Sequence, residues 1–125
     1  MNRLFAVLLA LLGVNSAASA QNLASVSPTE AASLHAEKKA VIIDVREENE
    51  WQAQHIAGAI HIPLGQLEQR LAELKPYQYE KVITQCRSGK RSAQAASVLQ
   101  AAGFDKVYNM EGGLMAWEKQ GLKVE

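Results

Sequence analysis

Cys86 is the only cysteine in the chain, and it stands in the run Val82-Ile83-Thr84-Gln85-Cys86-Arg87-Ser88-Gly89-Lys90-Arg91-Ser92-Ala93. A β-branched stretch, a short cationic loop and a helix-forming stretch follow one another there. That order puts a thiol where a parallel strand ends and a helix begins, a point at which backbone N–H groups and the positive helix end converge on one atom. Arg87, Lys90 and Arg91 favour the thiolate a second time through their charge. A free thiol has a pKa of about 8.5 and is only about 3% thiolate at neutral pH. Each unit by which the loop lowers that value is worth about 1.4 kcal/mol. The competing reading is a small buried core residue, which free cysteine often is. Three cations in the same loop do not suit an apolar core site, so Cys86 reads as a nucleophile that handles anions.

The rest of the titratable inventory narrows the chemistry. One cysteine allows no internal disulfide, no Cys-x-x-Cys redox pair and no cysteine-rich zinc site. His35, His55 and His61 lack metal-ligand spacing, so no metal is expected. Lys90 after Gly89 suggests a phosphate loop of the Walker type, but that pattern needs Gly five positions before Gly89 and Ser or Thr after the lysine. The chain has Thr84 and Arg91 there, and the nucleotide reading fails.

Residues 1–20 read as an address. Arg3 supplies the positive start, Leu4 to Leu12 is an unbroken apolar run, and Ala18-Ser19-Ala20 is a small-residue cleavage site. The run is too short to span a bilayer as a permanent helix. A cleaved secretory signal with Gln21 as the mature N-terminus is therefore expected, and an uncleaved N-terminal anchor is the alternative. Cleavage leaves residues 21–125 as one domain, with no stable membrane association and a periplasmic or secreted location. The full chain has 13 basic and 13 acidic residues, and the signal removes Arg3 alone, leaving a formal charge of −1. That balance argues against nucleic acid or a membrane surface as the main partner, and the positive character is local to the Cys86 loop. A small anion is the natural ligand.

The elements that must position the loop follow from patterning. Ser27-Pro28-Thr29-Glu30 predicts a capped helix running to about Glu37. Ala40 to Val45 is a strand of the kind buried on both faces. Glu47 to Gln54 predicts a short helix with Trp51 as its apolar anchor, and Ala59 to Ile62 a short strand ended by Pro63. Leu64, Leu67, Leu71 and Leu74 predict an amphipathic helix over Gly65–Leu74, ended by Pro76. Lys81–Gln85 is the strand that feeds Cys86, and Arg91 to Ala102 is a helix stopped at Gly103. Lys106–Asn109 is another strand, and Gly112-Gly113 opens a last helix through Trp117. Both tryptophans read as core. The alternation predicts an α/β fold with a mostly parallel central sheet flanked by helices in three layers. In such sheets ligands bind beyond the carboxyl ends of strands, where Asp44 and Cys86 both lie.

These residues resemble the rhodanese (sulfurtransferase) domain, in particular its single-domain, thiosulfate-using periplasmic type. Asp44-Val45-Arg46-Glu47 followed by Glu50-Trp51 resembles one family segment, and His55-Ile56-Ala57-Gly58-Ala59-Ile60 with Ile62-Pro63 a second. Cys86 to Arg91 resembles the active loop, and Gly112-Gly113 with Trp117 the closing segment. The four cover essentially the whole mature chain. Two departures stand out: Ala57 replaces a common proline, and Gln85 precedes the cysteine where an apolar residue is frequent. The six-residue loop resembles that of sulfur-moving members, whereas related phosphatase and arsenate-reducing domains have one residue more.

The resemblance implies ping-pong catalysis by sulfurtransfer. The Cys86 thiolate takes the outer sulfur of thiosulfate or a similar anionic donor, sulfite leaves, and a thiophilic acceptor such as cyanide or a thiol removes the sulfur. It implies Cys86 and Arg91 as catalytic residues, Arg91 by holding the loop, with Arg87, Ser88, Gly89 and Lys90 binding the substrate. Asp44, Arg46 and His55 are expected as supporting residues, and Glu50 braces the neighbouring loop. No cofactor is expected, because the persulfide is itself the carrier. Two other functions remain open on the sequence: a persulfide carrier or interaction module serving a protein sulfur acceptor, and a thiol redox or stress protein.

Overall fold

The computed structural model describes residues 23–125, and the expected signal segment lies outside them. The chain runs β1 (Ala24–Val26), α1 (Pro28–Ala36), β2 (Ala40–Asp44), α2 (Glu48–Ala53) and β3 (Ile60–His61). Two 3₁₀ segments follow, Leu64–Gln66 and Glu68–Tyr77. The second half is β4 (Lys81–Gln85), α3 (Lys90–Ala101), β5 (Val107–Met110) and α4 (Gly113–Lys119). The strands form one five-stranded sheet in the order β1-β5-β4-β2-β3, and every pairing in it is parallel. This is the expected α/β architecture.

Parallel sheets need cover on both faces, and the strand sequences supply an apolar side chain to each in turn. Ile43 of β2, Val45 just after it and Val82 of β4 point into one core with Ala95, Ala96 and Leu99 of α3 and with Leu67 and Leu74. Their neighbours Ile42 and Ile83 point into the other, against Ala31 of α1 and Leu114 and Trp117 of α4. Each fully buried Ile or Leu contributes about 1.5–3 kcal/mol. The central strand β4 lies between β5 and β2, so its carboxyl end, and the loop that starts there, is supported on both sides.

Three expectations change. β1 was not foreseen: it is three residues long with only Val26 buried, too short to show a period. The segment expected as an α-helix over Gly65–Leu74 is 3₁₀, broken at Arg70 (φ −112°, ψ 16°), and it runs through Pro76 rather than stopping before it. The leucine spacing explains this. Leu64 to Leu67 and Leu71 to Leu74 are each three apart, which suits three residues per turn, and the four-residue step falls across the break. Trp51, expected as core, is half-buried. It stacks on His55 (ring centroids 3.7 Å apart) and on His61 (4.7 Å).

Candidate active site

β4 ends at Gln85, the chain turns through Cys86 to Gly89, and α3 starts at Lys90. Gly89 caps the helix at φ 108°, a conformation that L side chains rarely adopt. The turn folds the loop over its own cysteine. The Gly89 N–H donates to Cys86 Sγ at 3.1 Å, and the Ser92 hydroxyl lies 3.4 Å from the same sulfur. Cys86 is 1% exposed, and burial by itself pushes the thiol pKa up. The Ser92 hydroxyl and the N–H groups of Ser92, Gly89 and Ser88 outweigh that burial, so the thiol lies below its ordinary value.

The loop is held from outside by its carbonyls. The Leu114 N–H donates to Cys86 O at 2.8 Å and the Met115 N–H to Arg87 O at 3.1 Å, so the first turn of α4 ties both oxygens away from the sulfur. That approach requires Gly113: a Cβ there would sit 2.4 Å from the Arg87 carbonyl carbon and oxygen, at φ +59°. Asn109 Nδ2 donates to Gly89 O at 3.1 Å, and Thr84 Oγ1 donates to Ser92 O at 2.9 Å. Gln85 is fully buried, and its side-chain amide donates to Cys86 O at 3.0 Å. The polar group before the cysteine thus supports the loop backbone.

The cations divide into two kinds. Arg87 and Lys90 are exposed, and neither has a carboxylate within 4.0 Å among the described residues. Arg91 instead meets Glu50 in a two-pronged pair at 2.7 and 3.0 Å, which joins the start of α3 to α2. The Arg91 hydrogen bond holds the Glu50 carboxyl down to about 2, against the opposing effect of burial. Glu50 Oε1 also accepts from the Glu47 N–H at 3.0 Å, capping α2. Arg91 therefore ties the loop to α2 while its charge still acts on Cys86.

Asp44 and Arg46 pair with each other. Both are buried, and Arg46 Nε and Nη2 approach Asp44 Oδ1 and Oδ2 at 2.8–3.1 Å, while the Arg46 N–H donates to Oδ1 at 3.0 Å. The remaining guanidinium donors go to Glu50 O and Gln54 O, so the pair holds the carbonyl end of α2. His55 is drawn away from the loop: Nδ1 donates to Trp51 O at 2.8 Å, and Nε2 lies 3.3 Å from the Glu125 carboxylate. Ser92 was missed. Its signal was positional, because a side chain on the third residue of a helix leans back toward the helix start, where the thiol sits.

A candidate cysteine nucleophile at the carboxyl end of the central strand of a parallel sheet places this chain in a definite class of α/β proteins. Within that class, residues 27–120 match the rhodanese-like domain, and the chain belongs to this family. Among curated relatives it is 42% identical over 80 residues to the uncharacterized protein YqhL of Bacillus subtilis, covering 64% of this chain and 62% of that one. It is 42% identical over 76 residues to the putative sulfur carrier protein YrkF of the same organism, covering 61% and 40%. The thiosulfate sulfurtransferase PspE of Escherichia coli is 37% identical over 70 residues, covering 56% and 67%. The chain thus spans less than two thirds of the length of YqhL and YrkF. The crystal structure of a rhodanese-related protein from Thermoplasma volcanium superposes with a TM-score of 0.74 at 28% identity, covering 82% of this chain and 97% of that one.

Proposed function

We infer that this protein is a sulfurtransferase of the thiosulfate-using type. It moves a sulfane sulfur from thiosulfate or a similar anionic donor to cyanide or a thiol through a persulfide on Cys86. The observation that carries the reading is the environment of one atom: Cys86 Sγ is stabilised by the loop N–H groups and the Ser92 hydroxyl, in a loop that also carries Arg87 and Lys90. The thiolate attacks the outer sulfur of the donor and sulfite departs with the bonding pair. The N–H groups that stabilise the thiolate then face a persulfide anion, as preorganised donors do. Arg87 and Lys90 steer the dianionic donor, and Arg91 keeps the loop in place through Glu50. The relative named for thiosulfate transfer, PspE, supports the donor. The signal-like start, residues 1–20, supports a periplasmic site of action.

Intact-mass spectrometry after thiosulfate treatment tests this. The expected result is a gain of one sulfur, about 32 Da, that is lost on adding cyanide and never forms in Cys86→Ala. A folded, reduced protein that shows no adduct overturns thiosulfate transfer. A second reading, a persulfide carrier for a protein partner, is favoured by the similarity to YrkF. It is distinguished by slow turnover with cyanide despite full loading.

A further inference from the structure

Among the described residues, two buried side-chain oxygens lack a hydrogen-bond partner in the protein, Gln85 Oε1 and Asn109 Oδ1. Both belong to amides whose other end holds the loop that carries Cys86. Gln85 Nε2 donates to Cys86 O at 3.0 Å, and Asn109 Nδ2 donates to Gly89 O at 3.1 Å. A carbonyl only accepts, so each amide must turn its nitrogen to the loop and leave its oxygen behind. The two approach from opposite sides of the sheet. Gln85 shares the face of Ile83, against α1 and α4, and Asn109 that of Val107, against α3.

An orphaned buried acceptor destabilises a fold, and buried polar groups are otherwise almost always paired. The hydrogen-bonding needs of the loop do not account for these two. Cys86 O also accepts from the Leu114 N–H at 2.8 Å, and Gly89 O from the Ala93 N–H at 3.2 Å. Each carbonyl would keep a partner without its amide. What the second donor adds is direction: one bond lets a peptide plane rock, whereas bonds to both lone pairs fix it. Because the peptide is planar and trans, a carbonyl held outward turns the following N–H the opposite way. Cys86 O sets the Arg87 N–H in this manner, and Gly89 O sets the Lys90 N–H. A carbonyl that swung inward would instead place its partial negative charge against the sulfur.

We propose that Gln85 and Asn109 are positioning residues for sulfur transfer at Cys86, each making the fold less stable and the thiolate more reactive. The proposal rests on the sulfurtransferase reading above, but the thiol itself can be probed without any sulfur donor. Local rules of polar pairing are broken in folded proteins mainly where function requires it, and here both breaks fall on the two amides that touch one loop.

The test uses Gln85→Met and Asn109→Leu, which keep side-chain bulk and remove the amide. Urea denaturation of each is expected to give a midpoint at or above that of the parent, because the orphaned oxygen is gone and no carbonyl loses its last partner. Alkylation of Cys86 by iodoacetamide across pH is expected to show its midpoint moving up. Sulfur uptake from thiosulfate at neutral pH is expected to slow about tenfold. A residue that only holds the fold together would give the reverse, a lower urea midpoint with the parent's alkylation profile. A lower urea midpoint, including failure to fold, overturns the proposal for that residue, and so does an unmoved alkylation midpoint. If the parent takes up no sulfur from thiosulfate while the urea and alkylation results come out as expected, the donor assignment alone falls.

Discussion

β2 and β4 are neighbours in the sheet, register residue for residue from Ala40 with Lys81 to Asp44 with Gln85, and end side by side. Each strand end carries a group that is costly to bury as an anion. At the end of β2 the Asp44 carboxylate is surrounded by Arg46, and that guanidinium's other donors are taken by Glu50 O and Gln54 O. At the end of β4 the Cys86 sulfur receives N–H and hydroxyl donors, while Arg87 and Lys90 of the same loop have no carboxylate partner among the described residues. One anion is saturated and the other is left with capacity to spare. Saturation makes a brace, and unspent capacity suits the nucleophile proposed for Cys86.

The largest break in this comparison comes from opening the saturated side. Asp44→Asn strands a buried guanidinium, and such a loss typically costs about 3–5 kcal/mol. Urea denaturation is expected to show that loss, while the fraction that remains folded still takes up sulfur on Cys86. A variant as stable as the parent would mean that the pair is not the brace its geometry describes. Next in size is Ser92→Ala, which removes the largest influence lowering the thiol pKa. The sign is definite: the pKa rises, so persulfide formation slows most on the acid side and recovers as pH climbs. Rates of thiol alkylation against pH would show the midpoint moving up, and an unmoved midpoint would remove Ser92 from the site.

The smallest effect is Glu50→Gln. Glu50 is held at about 2 from an ordinary 4.5, so its pairing contributes stability above the higher value that is lost as pH falls toward the lower. The exposed portions of Glu50 and Arg91 limit the contribution to about 1 kcal/mol. The variant is expected to be slightly less stable at neutral pH and to lose less stability between about pH 4 and pH 2. Parallel acid-denaturation curves for the two proteins would mean that the Arg91 link does not reach the stability of the domain.

Local chemistry was legible where it was written in adjacent residues. The strand-loop-helix run around Cys86 announced both the fold element and the thiol's position, and Gly112-Gly113 marked the start of the last helix. Asp44 and Arg46, two residues apart, were expected as supporting residues, and their pair bears a structural role. What stayed hidden depends on distance or on cancellation. Arg91 and Glu50 lie 41 residues apart, and nothing in either neighbourhood names the other. The leucines of residues 64–74 fit a helix of 3.6 residues per turn about as well as two 3₁₀ segments with a break, and only the structure places the break at Arg70. β1 has one buried residue, which is no pattern at all. Trp51 looked like core because tryptophan usually is, whereas here its ring is a platform for two imidazoles.

The bonds from Leu114 and Met115 to the loop carbonyls also have a meaning in time. During synthesis the cysteine leaves the ribosome well before α4 does. Until Gly113 and its successors arrive, the carbonyls of Cys86 and Arg87 lack the partners that turn them outward, and the cradle around the sulfur has no outer wall. The donors to the sulfur, Gly89 and Ser92, are in place early, and the last helix adds the outer wall that holds the loop's carbonyls.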